Sequence, residues 1–211
     1  MNSSRNSREP RQCAWEDVKE KIQLQLINKE QNAECMKERL YKDYLDLAAV
    51  FMVEVLELKE NKVLIPVTEM MASEWGVSID ELWETALGNL EKEECTIMDI
   101  RYFVPEEFRE EADKAQLYVC RMKNGNHGAQ AILRRGLLKG FAEKYKEKIY
   151  ILPSSVFETI LVVDDGKTDE NVLKLMVEEI NGEWKEKAPE EWLSDSVYYY
   201  DKENDEIKIA A

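Results

Sequence analysis

The chain has 211 residues, 44 of them acidic and 29 basic, for a net charge of −15. That length buries a core without metal or disulfide staples, and a content of 44% hydrophobic and 9% aromatic residues excludes wholesale disorder. The acidity excludes a general binder of nucleic acid or of anionic membranes, because the mean field of the protein repels phosphate.

Residues 1–14, with Asn2, Ser3, Ser4, Asn6, Ser7 and Pro10, are poor in apolar side chains and read as a frayed tail. Residues 15–211 then form one domain, with a subdivision near 112–116 left open. Ile22, Leu24 and Leu26 alternate with Gln23 and Gln25, the period of a half-buried strand. The apolar run through 45–58 is a long central strand, since β-branched residues recur in it and Glu60, Asn61 and Lys62 turn it into a second strand over 63–67. A short helix over 68–75 stops at Gly76, a residue able to take the left-handed conformation of a helix end.

The strongest helix signal covers 79–90. Ser78 and Glu81 form an S-x-x-E capping box, Val77 can staple onto Leu82, and Ile79, Leu82, Trp83, Ala86, Leu87 and Leu90 form one inward stripe. Further on, Asn124-Gly125-Asn126 predicts a hairpin between strands over 117–122 and 129–133, with His127 exposed and idle at its tip. A helix over 136–146 and strands over 149–152 and 157–163 follow. Thr168 caps a helix over 169–180 that ends at Asn181-Gly182, and a hairpin of 197–200 with 207–209 completes the chain. Short turns between neighbouring strands imply an α+β fold, a mainly antiparallel sheet of strand-strand-helix units packed by about four helices.

With those elements placed, a resemblance emerges. Tyr150-Ile151-Leu152-Pro153-Ser154-Ser155-Val156, the strand ending Asp164-Asp165-Gly166, Ala188-Pro189-Glu190-Glu191 and Leu193-Ser194-Asp195-Ser196-Val197-Tyr198-Tyr199 resemble a bacterial family known as domain of unknown function 5688. Leu45-Asp46-Leu47-Ala48-Ala49-Val50 and Trp75-Gly76-Val77-Ser78 are similar to its middle region. The resemblance implies neither an activity nor catalytic residues. The family often has His-Glu after the Pro-Ser-Ser-aliphatic run, where this chain has Phe157-Glu158, so the resemblance implies no histidine chemistry at that position here.

Four cysteines (Cys13, Cys35, Cys95 and Cys120) without a C-x-x-C pair, and one histidine, fit neither a zinc module nor a secreted disulfide framework. With no leader-like apolar stretch near the N-terminus and no run long enough to span a bilayer, the expectation is a cytoplasmic protein without membrane attachment, cofactor or metal. A triad would need Ser154 or Ser155 with His127 and Asp165, yet no G-x-S-x-G elbow is present and Pro-Ser-Ser is ordinary turn chemistry. Asp164 and Asp165, near Asp169 and Glu170, depart from the D-x-D-x-D-G spacing of a cation loop and suit a helix start.

Charge is the uneven feature. Residues 121–148 hold eight basic side chains against two acidic ones, a net of +6, and 164–211 hold fifteen acidic against six basic, a net of −9. The leading expectation is a non-enzymatic module whose acidic C-terminal face, with Glu190, Glu191, Trp192 and Asp195, binds a basic protein. Tyr198, Tyr199 and Tyr200 would serve it as aromatic anchors. The alternative is a hydrolase or metal-assisted enzyme using Ser154, Ser155, Glu158, Asp164 or Asp165 in one cleft. Nucleic-acid contact through 121–148 ranks below both.

Overall fold

The computed structural model describes residues 14–58, 61–109, 116–123, 127–153 and 155–211, with the backbone alone at 57, 58, 61, 108, 183 and 184. The fold is α+β, with two antiparallel sheets and, among the described residues, six α-helices. The first sheet holds β1 (Ile22–Asn28), β2 (Tyr41–Tyr44), β3 (Leu47–Leu58) and β4 (Asn61–Pro66). The long β3 is its axis, with β1 on one side and β2 followed by β4 on the other. The second sheet runs in the order β10-β9-β7-β8-β6-β5. Its members are β5 (Cys95–Asp99), β6 (Leu117–Met122), β7 (Ile149–Leu152), β8 (Thr159–Val163), β9 (Tyr198–Asp201) and β10 (Glu206–Ile209).

The period of two in these strands sets the layers. Leu24, Leu26, Phe51 and Val53 from the first sheet share one core with Ile149, Ile151, Leu161, Val163, Tyr198 and Tyr200 from the second. The alternate residues Tyr150, Leu152 and Val162 point to the opposite face, where they meet Leu173 and Val177 of the last helix. Behind the first sheet, Ala48, Val50 and Met52 pack with Met36 of the single-turn α2 (Ala33–Met36).

The other helices are a single-turn α1 (Trp15–Val18), α3 (Glu69–Trp75), α4 (Ile79–Leu90), α5 (Leu137–Tyr145) and α6 (Glu170–Lys187). Local signals place α3 and α4 as expected. Gly76 stands at φ +70° after α3, and Ser78 Oγ accepts from Glu81 N at 3.1 Å to open α4. Leu82, Ala86, Leu87 and Leu90 are buried, whereas Trp83 is half-buried, edge-on to Phe51 at 6.5 Å and covered outside by Lys42.

Three expectations need correction. Residues 129–133 form not a strand but a buried 3₁₀ turn, Ala129–Leu133. The N–H groups of Gly128 and Ala129 both go to the carbonyl of Val156, at 2.9 and 3.1 Å, so no ladder forms. The proposed hairpin tip at 124–126 lies outside the described residues. His127 is half-buried, with its ring stacked on Phe157 at 6.5 Å and its Nδ1 buried. Finally, α6 starts after Asp169, whose carboxylate accepts from Asn171 N at 2.8 Å, and runs through Asn181-Gly182 to Lys187. An internal glycine costs about 1 kcal/mol of helix propensity, which the buried Asn181 offsets by donating to Ser194 O at 2.7 Å and Asp195 Oδ1 at 3.0 Å.

Among the described residues no helix is long and apolar enough to cross a membrane.

Candidate functional site

The two sheets are joined by a polar seam that begins at the loop between β7 and β8. Ser155 is buried, and its hydroxyl accepts from Phe157 N at 3.2 Å and Glu158 N at 3.4 Å, the local turn that serine favours. The half-buried Glu158 carboxylate stands at 3.5 Å from the same hydroxyl. Ser154 lies outside the described residues. The loop is stitched to the segment before β9: Ser155 bridges Trp192, Val156 N donates to Glu191 O at 2.8 Å, and Ser194 N donates to Pro153 O at 3.0 Å.

Asp46 is the hub of this seam. It sits in the two-residue turn between β2 and β3, where Leu45 takes φ +56°, a conformation that β-carbon crowding disfavours. Its carboxylate accepts from Ser194 Oγ at 2.5 Å, Ser196 Oγ at 2.9 Å and the hydroxyl of Tyr198. Beside it, Asn28 Nδ2 donates to Leu193 O at 2.9 Å, so one end of the β1–β3 pair, where Asn28 lies opposite Leu47, is tied to the lead-in of β9. Burial first, and then the Asp46 carboxylate, push the Tyr198 phenol far above its ordinary range, and burial does the same to Tyr44. Both therefore stay protonated. The Ser194, Ser196 and Tyr198 hydroxyls all donate to Asp46, an arrangement that ties the β2–β3 turn to the lead-in of β9.

The sequence points to Asp195, and to Tyr198 as an interface anchor, but gives Asp46, Ser194 and Ser196 no role outside the family resemblance. The available signal was the Leu-Asp-Leu turn and the Ser-Asp-Ser-Val-Tyr run, but nothing local links residues 152 apart in sequence.

Asp164 and Asp165 are elsewhere. They follow the far end of the five-residue β8, about 16 Å of strand from the Ser155 loop. Asp164 Oδ1 accepts from Gly166 N at 2.8 Å and Thr168 N at 3.4 Å, and Asp165 Oδ1 from Lys167 N at 2.8 Å. Burial would raise the Asp164 carboxyl, and the Thr168 and Gly166 donors outweigh it, so the group sits below its usual range. These bonds shape the entry to α6. Ser155 and Glu158 are brought together and Asp164 and Asp165 are not, which splits the constellation an enzyme would need. No cluster of three or more metal-ligating side chains occurs among the described residues.

Glu191, Trp192 and Asp195 gather at the C-terminal end of α6. Lys185 Nζ lies 4.3 Å from the Trp192 ring centre and pairs with Asp195. Burial alone would raise the Asp195 carboxyl, and the Lys185 ammonium and Asn181 amide bring it below its ordinary value. Glu190 is exposed. The tyrosines are not free anchors: Tyr198 and Tyr200 are buried in the core, and Tyr199 is half-buried with Lys148 at 4.6 Å over its ring.

Four of the eight basic side chains in 121–148 pair with acids of the fold. Arg134 donates to the carbonyls of Glu91 and Glu93, each at 2.9 Å, at the end of α4. Arg135 pairs with Glu84 at 2.8 Å, Lys123 with Glu94 at 2.5 Å and Lys148 with Glu170 at 2.7 Å.

The outer face of α6 is of a different kind. Leu173 and Val177 face the sheet, while Val172, Leu175, Met176 and Ile180 are 53%, 65%, 40% and 49% exposed. Their i, i+3, i+4, i+8 spacing makes one apolar ridge pointing away from the core. Glu178, Glu179 and Glu186 are exposed beside it. The signal was present in the sequence, because six apolar residues among the nine of 172–180 cover more of the helix circumference than one sheet contact uses.

Two depressions mark the surface of the described residues. A cleft of about 150 Å³ is lined by Tyr44, Trp83, Arg135, Lys139, Tyr200 and Asp205 among others, and an open groove of about 700 Å³ lies between Arg39, Thr68, Met70 and Ile79. Neither is lined by a residue of the Ser155 loop, by Asp164 or Asp165, or by the 190–195 segment.

Residues 2–202 match a family of unknown function, DUF5688, and the chain belongs to that family. No curated protein matches the chain, and no solved structure does. Of the family-like segments, Leu45-Asp46-Leu47, Pro153 with Ser155, and Leu193 to Tyr199 meet at the polar seam around Asp46.

Proposed function

We propose that this chain is a non-enzymatic, cytosolic protein-binding module that contacts another protein through its acidic C-terminal region, with the outer face of α6 at the centre of the contact. One observation carries the reading: the exposed ridge of Val172, Leu175, Met176 and Ile180 on a single helix. Large apolar side chains scattered singly need no explanation, whereas a contiguous row with a polar rim is the usual mark of an interaction face. The candidate residues Glu190, Glu191, Trp192 and Asp195 adjoin the end of the same helix through Lys185 and Asn181. Residues 15–211 act in this reading as one domain that presents the helix.

The alternative, a hydrolase or metal-assisted enzyme built on Ser155, Glu158, Asp164 and Asp165, has less support. Its members stand at opposite ends of β8, and the seam hydroxyls are occupied by Asp46.

The test is affinity capture from native cytosol by the full chain and by a Leu175→Glu/Ile180→Glu variant, each checked for an unchanged denaturation midpoint. Capture of a defined protein by the parent and its loss in the folded variant is the expected result. Equal capture by both, or none by either, removes the reading.

A further inference from the structure

The α6 ridge also indicates what kind of surface it meets, an inference that rests on the protein-binding reading. Val172, Met176 and Ile180 form an i±4 row about 12 Å long. Rows of this kind pack best into the equivalent groove of another helix, crossing at about −50°, and Leu175 widens the row on one side. Around the row the free charge has one sign. Glu179 is exposed, and among the described residues no ion pair engages it; the exposed Glu186 and Glu190 extend the same field to and beyond the helix end. Of the lysines on this helix, Lys174 is committed to Glu178 and Lys185 to Asp195, and Lys187 also has a partner.

We infer that the occupant is a basic amphipathic helix of another protein, one with an apolar i, i+4, i+8 row flanked by lysine or arginine. A second copy of this chain matches the apolar row, since a two-fold axis at Met176 sets Val172 against Ile180. Charge opposes it: Glu179 flanks the row in both copies, and the two chains each carry −15. A basic helix turns that repulsion into complementarity, with apolar contact holding the complex and charge speeding its formation.

The probe is an 18-residue helical peptide with leucines at i, i+4 and i+8 and flanking lysines. A permuted peptide of identical composition serves as control, and both are titrated into the full chain by fluorescence anisotropy at two ionic strengths. The peptide is expected to bind at least tenfold more tightly than its permuted form. Ile180→Glu should weaken it at least tenfold, and Glu179→Gln with Glu186→Gln should flatten its salt dependence. Should Ile180→Glu fail to fold, Leu175→Gln at the most exposed ridge position takes its place, with at least threefold weakening expected. Equal binding of the permuted peptide, or binding indifferent to the α6 variants, overturns the inference. So does sedimentation of the parent as a dimer that Ile180→Glu disperses, which would make the second copy the occupant. Failure here remains separable from failure of the protein-binding reading. If cytosolic capture depends on the ridge while the basic peptide does not bind, only the inference falls; if neither depends on the ridge, both fall.

Discussion

The seam around Asp46 and the outer face of α6 are opposites. In the seam, polar groups hold one another between the β2–β3 turn and the lead-in of β9: three hydroxyls on the exposed carboxylate of Asp46, and the Asn28 amide on the carbonyl of Leu193. On α6, apolar side chains stand in water beside exposed acids. The seam's network specifies how strands meet, and opening it leaves the buried Ser194 and Tyr198 hydroxyls without their acceptor. An exposed apolar row gains free energy only when something covers it. The comparison teaches that the chemically richest cluster of a protein need not be its working surface, and that the interaction energy still available lies where side chains remain unpartnered.

The seam should therefore be sensitive to small changes that would pass unnoticed on α6. Gly128→Ala is the harshest, because a β-carbon there would lie 2.1 Å from the backbone carbonyl oxygen of Phe157. A loss of about 3 kcal/mol is expected in urea denaturation, and a midpoint equal to the parent's would show that the loop is not tightly docked. Asp46→Ala deprives the buried Ser194 and Tyr198 hydroxyls of their acceptor and should cost about 2 kcal/mol. Asp46→Asn, which keeps an acceptor, should cost less. If the two substitutions are equal and harmless, the seam does not join the sheets.

A calibration outside both regions is Ser78→Ala, which removes the acceptor of Glu81 N and should lower stability by about 1 kcal/mol. The smallest effect concerns pH. Burial holds the His127 imidazole below its ordinary value, so the folded state favours the neutral ring. The stability this contributes is present above the unfolded value of about 6.5 and is lost as pH falls below it. Lowering the pH from 7 to 5 should therefore shift the melting temperature of the parent slightly more than that of His127→Gln. The depressed carboxyls of Asp164, Asp195 and Glu170 should destabilise both proteins alike at lower pH still. Identical shifts from pH 7 to 5 would place His127 in solvent.

What the sequence made legible follows the range of the forces involved. Helix α4 was readable because Ser78, Glu81 and the stripe behind them act within one or two turns, and β3 with β4 because one short turn sets their pairing. Strands β2 and β5 went unassigned: Tyr-Lys-Asp-Tyr and Cys-Thr-Ile-Met-Asp carry little alternation and become strands by pairing with β3 and β6. Gly182 signalled a helix end that Asn181 overrode through contacts 13 and 14 residues away. Gly128 and Ala129 abandoned a strand because Val156 offered a carbonyl. Of the candidate site, Ser155 and Asp195 were named from residue type alone. Asp46, the group that organises the seam, could not be recognised without the fold that brings Tyr198 to it.

The most direct measurement places a benzophenone photo-crosslinker at Leu175 in one full-length variant and at Ser196 in another, with irradiation in native cytosol. The account predicts a discrete crosslinked protein from position 175 and none from position 196, where the side chain belongs to the seam. A discrete product from 196, or none from 175, would contradict it.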